Sequence, residues 1–179
     1  MAGRLTQKRL RELPDGHLPM VLWDYYLALR DKNYAAQAKA QKKGAKPLPL
    51  WNDRTLPRGL WYVVRFMTFD GDVLNGGLTQ FFANHTAQEV VETRGMLQAI
   101  GAKESEQILA QAISTFEKHY AWKPKSKQRV CLSDEISRDK RLARLDTARC
   151  NDESSRRDYA LLVRFLREHL DECLVGTES

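Results

Sequence analysis

The stretch DGDVLNGGLTQFF (Asp70–Phe82), with ANHTAQEVVETRGMLQAIG (Ala83–Gly101) directly behind it, decides how the chain is read. Gly71, Gly76 and Gly77 make it the one glycine-rich stretch in the middle of the sequence. Glycine opens backbone angles that other residues avoid. Asn75-Gly76-Gly77 has the composition of a tight turn, with the asparagine supplying a local side-chain bond. Thr86-Ala-Gln-Glu89 then places a hydroxyl three residues before a carboxylate, the pattern of a capping box. It predicts a helix through Ile100 with Val90, Leu97 and Ile100 inward. Gly101 is placed to close that helix in a left-handed cap.

Helical spacing continues on both sides. Downstream, Ile108, Leu109, Ala112, Ile113 and Phe116 form one stripe of a helix over Glu104–Tyr120. A polar loop follows over Trp122–Glu135, then a helix over Asp134–Arg149 with Ile136, Leu142 and Leu145. A last helix is expected over Ser155–Leu174, from the spacing of Tyr159, Leu162, Val163, Leu166, Leu170 and Cys173. Upstream, LWYVVRFMTF (Leu60–Phe69) suits a strand or a helix by content. No second run of that quality exists to pair with it, so it is read as a buried helix. Trp23, Tyr26, Leu27 and Tyr34 mark a helix over Leu18–Lys42, with Pro19 in its first turn. A connector with two X-Pro steps follows, Gly44–Pro57. The expected fold is all-α: an N-terminal helical extension and linker over residues 1–54, and a helical domain over 55–179.

Length and composition agree. The 179 residues are 42% hydrophobic and 29% charged, ordinary for a globular chain and unlike a disordered or collagenous one. Leu60–Phe69 is far too short to span a bilayer, so no membrane partner is expected. The opening MAGRLTQKRLRELPDG has no apolar core of a signal peptide. Cys131, Cys150 and Cys173 are odd in number and form no CxxC. Both point to reduced thiols and a cytoplasmic location. Net charge is +6, unevenly spread: residues 1–50 carry 10 basic and 4 acidic side chains, 51–122 carry 6 and 8, and 123–179 carry 13 and 11.

No GxxxxGK[ST], HExxH or GxSxG pattern is present, and His17, His85, His119 and His169 are scattered. His169 and Cys173 share a helix face, but two ligands do not make a zinc site. No catalytic residue, metal or cofactor is expected. The best site candidates surround the glycines: Asp72, Asn75, Gln80 and Asn84, the last two four apart on one helix face. They read either as turn and cap chemistry or as a small-ligand or anion site using the N–H groups behind Gly76 and Gly77. Candidate nucleic-acid contacts are Lys42, Lys43 and Lys46 at the end of the first helix, and Lys123, Lys125, Lys127 and Arg129 in the loop. Arg138, Lys140, Arg141, Arg144 and Arg149 follow, diluted by Asp134, Glu135, Asp139 and Asp146.

The ordered string NGG…QFF.N…IGA resembles the bacterial domain of unknown function 4375, a family related to the C-terminal domain of a DNA-mimic protein. The matching features fall on Asn75, Gly76, Gly77, Gln80, Phe81, Phe82, Asn84, Ile100, Gly101, Ala102, Ile108, Leu109 and Phe116. Leu142-Ala-Arg-Leu145-Asp146 looks like the family's leucine–aspartate element. Asp72 stands where the family tends to have Glu, and Leu78 where it tends to have Phe. The resemblance implies an all-α fold and an interaction module. A DNA mimic presents carboxylates at phosphate-like spacing, and a chain of net charge +6 does not.

The expected function is therefore a non-enzymatic protein–protein interaction domain, regulatory or of the immunity type, with a protein partner. A homodimer through the first helix, using Trp23, Tyr25 and Tyr26, is the expected added contact. The alternatives are nucleic-acid binding through the basic flanks and a ligand site at the corner. In the leading reading, the corner packs Phe81 and Phe82 into the core.

Overall fold

Helix is the only regular structure among the described residues of the computed structural model, which are 5–42, 53–119, 122, 139–149 and 152–175. The elements are α1 (Gln7–Glu12), α2 (Leu18–Lys42), α3 (Arg58–Asn84), α4 (Ala87–Ile100), α5 (Lys103–His119), α6 (Lys140–Arg149) and α7 (Asp152–Glu168). Single 3-10 turns occur at Asp15–His17, Asp53–Thr55 and Leu170–Glu172. The all-α class expected from the sequence is the class observed. Most of the connector, most of the polar loop, the start of the helix expected from Asp134, and Cys131 and Cys150 lie outside the described residues.

The chain forms two compact units, residues 1–64 with 163–179, and residues 65–162. The C-terminal segment thus shares a unit with the N-terminal one. Arg167 donates from Nη1 to the carbonyl of Leu10 at 2.9 Å, from Nη2 to the carbonyl of Leu13, and from Nε to Asp15 at 2.8 Å. The Leu10 and Leu13 carbonyls lie at the end of α1, where an isolated helix leaves carbonyls open. A six-residue helix is too short to stand alone. Arg167, the Thr6 cap and the burial of Leu10 hold it, and none of these is visible in local periodicity. Arg58 pairs with Glu172 at 2.5 and 2.6 Å, and Tyr62 packs on Phe165 at 4.9 Å.

The aromatics of α2 expected to meet a second copy turn partly to their own unit. Tyr26 is buried and donates to Asp53 at 3.2 Å, and burial and that carboxylate push its phenol up to about 12. Tyr25 accepts the Val175 N–H at 3.3 Å. Trp23 is half-buried beside Tyr26.

In the second unit, α4 packs on α5 and α5 on α6. The Thr86 hydroxyl accepts from the Glu89 N–H at 3.3 Å, and the Glu89 carboxylate accepts from the Thr86 N–H at 2.8 Å. At the other end of α4, Gly101 has φ 81°. Its N–H reaches Gln98 at 3.1 Å and the Ala102 N–H reaches Leu97 at 2.8 Å, the paired bonds of a Schellman cap. Leu60–Phe69 is helix, as read, but α3 then runs on through most of the glycine-rich stretch. It breaks only at Gly76 (φ −158°, ψ 21°) and Gly77 (φ 72°, ψ −173°). The lone Gly71 costs the helix about 1 kcal/mol against Ala, which burial of Phe69 and Val73 offsets.

The last helix differs from the sequence reading at both ends, and it starts at Asp152 and not at Ser155. The last helix stops at Glu168 and not at Leu174. His169 leaves helical angles (φ −131°, ψ 37°) and its Nδ1 donates to the Phe165 carbonyl at 2.8 Å. A 3-10 turn then carries Leu170, Cys173 and Leu174 inward, so the apolar spacing persists without the helix. Cys173 is a core residue, its thiol pushed up to about 12 by burial.

Removing the Thr86 hydroxyl leaves a donor at the start of α4 unanswered. The Thr86→Ala variant is expected to lose about 1 kcal/mol of stability, read as a lower urea midpoint at unchanged slope.

Candidate functional site: the double-glycine corner

The break at Gly76 and Gly77 turns the second arm of α3 back on the first. Asp72, one turn before the break, receives three donors from beyond it. Gln80 Nε2 donates to Oδ1 at 3.1 Å, Asn84 Nδ2 donates to Oδ1 at 2.9 Å, and His85 Nε2 donates to Oδ2 at 2.8 Å. Three of the four polar residues singled out from sequence therefore converge, on one another. Asn75 is exposed at the break and outside this cluster.

Both glycines are required by what they face. A Cβ on Gly76 would stand 2.3 Å from the Gln80 amide oxygen and 2.9 Å from its Cβ. A Cβ on Gly77 would stand 2.5 Å from Asp146 Oδ2, and its φ of 72° is itself costly for an L side chain. Asp146, on α6, accepts the Leu78 N–H at 2.6 Å. The amide behind the glycines, read from sequence as a place for an anion, therefore holds a carboxylate of the same chain. Burial pushes the Asp146 carboxyl up, against the opposing pull of the Leu78 N–H.

The ring pair of the corner is buried. Phe81 meets Phe69 edge-on at 5.0 Å and Phe82 stacks on Phe116 at 4.8 Å. Phe81 also lies 4.7 Å from the His85 ring.

His85 is the member of the cluster that sequence reading missed. It is buried, and its Nδ1 lies 3.8 Å from Glu89, the capping-box carboxylate. Glu89 lies 3.9 Å from Arg65, which pairs with Glu92 at 3.2 Å. Burial alone pushes the imidazole pKa down, but the bonds and charges of Asp72 and Glu89 outweigh it and hold His85 above its ordinary value. Burial likewise pushes Asp72 up, but His85, Gln80 and Asn84 together bring it below the usual carboxylate range. The available signal was the four-residue spacing from His85 to Glu89, masked by the cap between them.

A second polar cluster was also unread. Arg149 is fully buried. It donates to Asp70 at 2.9 Å, lies 3.5 Å from Asp158 and sits 5.1 Å over the Phe69 ring. Ser155 donates to Asp70, and Ser105 to Asp158. Burial pushes Asp158 up despite Ser105 and two nearby arginines. Arg149 is thus an internal cation, not one of the surface contacts for nucleic acid. Of the other candidate nucleic-acid contacts, Lys42 is exposed at the end of α2. Lys43, Lys46, Lys123, Lys125, Lys127 and Arg129 lie outside the described residues. Among the described residues, no group of three or more His, Cys, Asp or Glu side chains is arranged to hold a metal ion.

A family model described as DMP19-like protein matches residues 54–169, well over half of the chain. The domain of unknown function 4375, suggested by the ordered string, is a different but related description. No curated protein and no solved structure matches.

Two predictions concern the corner. Gly77→Ala should cost roughly 2–4 kcal/mol, from the left-handed angle and the Asp146 overlap together. Asp146→Ala should cost about 1–2 kcal/mol by orphaning the Leu78 N–H. The double variant should cost less than the sum, since the overlap is gone; urea titrations of the three proteins measure this coupling. The second concerns pH. The raised His85 value gives stability that is full below about pH 6.5, the unfolded value. It is lost as pH rises through the folded value. Stability from Asp72 is present above its unfolded value and lost as pH falls through its depressed one. The urea midpoint is expected to decline on the alkaline side, and Asp72→Asn should remove much of that decline. NMR titration of the His85 ring reads its protonation directly.

Proposed function

The chain belongs to the DMP19-like protein family, and from that membership we propose that it is a non-enzymatic module that works by binding another protein. The observation that carries this reading is that the corner's polar groups answer one another. Asp72 is met by Gln80, Asn84 and His85, and the Leu78 N–H by Asp146. A catalytic or ligand site would turn such groups toward a pocket. Here they fix the angle between two arms of one helix.

DNA mimicry does not follow from the family description for this chain. Mimicry needs exposed, unanswered carboxylates. In the second unit, Asp139, Asp158 and the partly buried Asp70, Asp72 and Asp146 are engaged inside. Glu89 and Glu92 face Arg65, Glu106 pairs with Arg94 at 2.6 Å, and Glu104 pairs with Arg157 at 2.5 Å.

The test is affinity capture of the full chain from its native host, followed by nuclease treatment and light scattering of the recovered complex. A defined protein complex that survives nuclease is expected. A complex that dissolves with nuclease, or a chain recovered with nucleic acid alone, overturns the reading.

A further inference from the structure

An open groove of about 470 Å³ runs in the second unit between α5 and α6, lined by Gln111, Ser114, Thr115, Arg141, Arg144 and Leu145. Among the described residues, no carboxylate lines it. Arg141 is held in place from behind: Nε and Nη2 donate to Asp139 at 2.9 and 2.6 Å, and Nη1 lies 2.6 Å from His119 Nε2. Asp139 is buried, so its charge is engaged under the rim and not on it. Arg144 is exposed and pairs with no carboxylate among the described residues, unlike Arg94 and Arg157 in the same unit, which each hold a glutamate. Helical spacing adds exposed Lys118 beside Ser114 and exposed Lys140 beside Arg144. The nearby Glu117 accepts from the Trp122 indole at 3.3 Å.

We propose that this groove docks a short acidic segment of a partner protein, with carboxylates on Arg144 and the lysine rim and one aliphatic side chain over Leu145. The proposal deepens the interaction-module reading and rests on it. Charge complementarity selects the occupant: the described charged groups at the groove are cationic, Gln111, Ser114 and Thr115 offer an amide and two hydroxyls, and Leu145 adds one apolar side chain. Arginine is among the residues enriched at protein interfaces and their hot spots. Duplex DNA would need a longer cationic stripe, since a typical binder neutralises about 6–10 phosphates. The open shape suits an extended or helical segment better than a small ligand, which pockets enclose.

The probe is a short synthetic peptide of alternating glutamate and leucine, titrated into the full ¹⁵N-labelled chain. A lysine–leucine peptide and a short DNA duplex serve as comparisons. Saturable amide shifts are expected at Gln111, Ser114, Thr115, Arg144 and Leu145, with the acidic peptide only. Arg144→Glu should weaken binding roughly tenfold or more, and Gln111→Glu should weaken it independently. Both sites are exposed, and unchanged circular dichroism checks the fold. Absence of saturable shifts at the groove overturns the proposal. So do equal affinity in both variants and tighter binding of the duplex. Peptide binding mapped to another face sinks the groove and leaves the interaction module standing, while failure of the module itself is read from the capture experiment.

Discussion

Asp72 carries a partly buried negative charge into a helix interior, and such a charge persists only where donors meet it. Three donors do so, and all come from beyond the break at Gly76 and Gly77. The chain must therefore turn sharply at the glycines for the carboxylate to be satisfied. Asp146 constrains the same turn from the other side, holding the first amide of the second arm at 2.6 Å. With the angle set, Phe81 lies against Phe69 and Phe82 against Phe116. The ring packing of the second unit depends on a polar hinge that is answered twice.

The same economy explains how charge is distributed. A chain of net charge +6 belongs to a family described by likeness to a DNA mimic. Its central acids are drawn inward or neutralised by Arg65, Arg94, Arg149 and Arg157. Among the described residues that line the groove between α5 and α6, the charged ones are the arginines Arg141 and Arg144. A fold shared across a family fixes the positions of its corner, while function resides in the surface grafted on that fold. Here the net charge has the opposite sign from the one the family description suggests.

Features written in neighbouring residues were legible. The capping box at Thr86 and Glu89 and the left-handed Gly101 both rest on interactions within four or five positions. Features assembled by distant residues were not. Helix α1 depends on Arg167, far along the chain, for its terminal carbonyls. Arg149 looks like any other arginine of a basic helix until Asp70 and Phe69 enclose it. His85 looked scattered because its partner Asp72 lies on the far side of the break.

The sequence alone determined the helical class, the glycine corner and the capped helix behind it, since periodicity and cap chemistry act over one or two turns. Tertiary structure decided which polar groups the corner spends on itself and which arginines stay outside. Those outcomes depend on desolvation and on charges brought together from separate helices, and no local pattern records either.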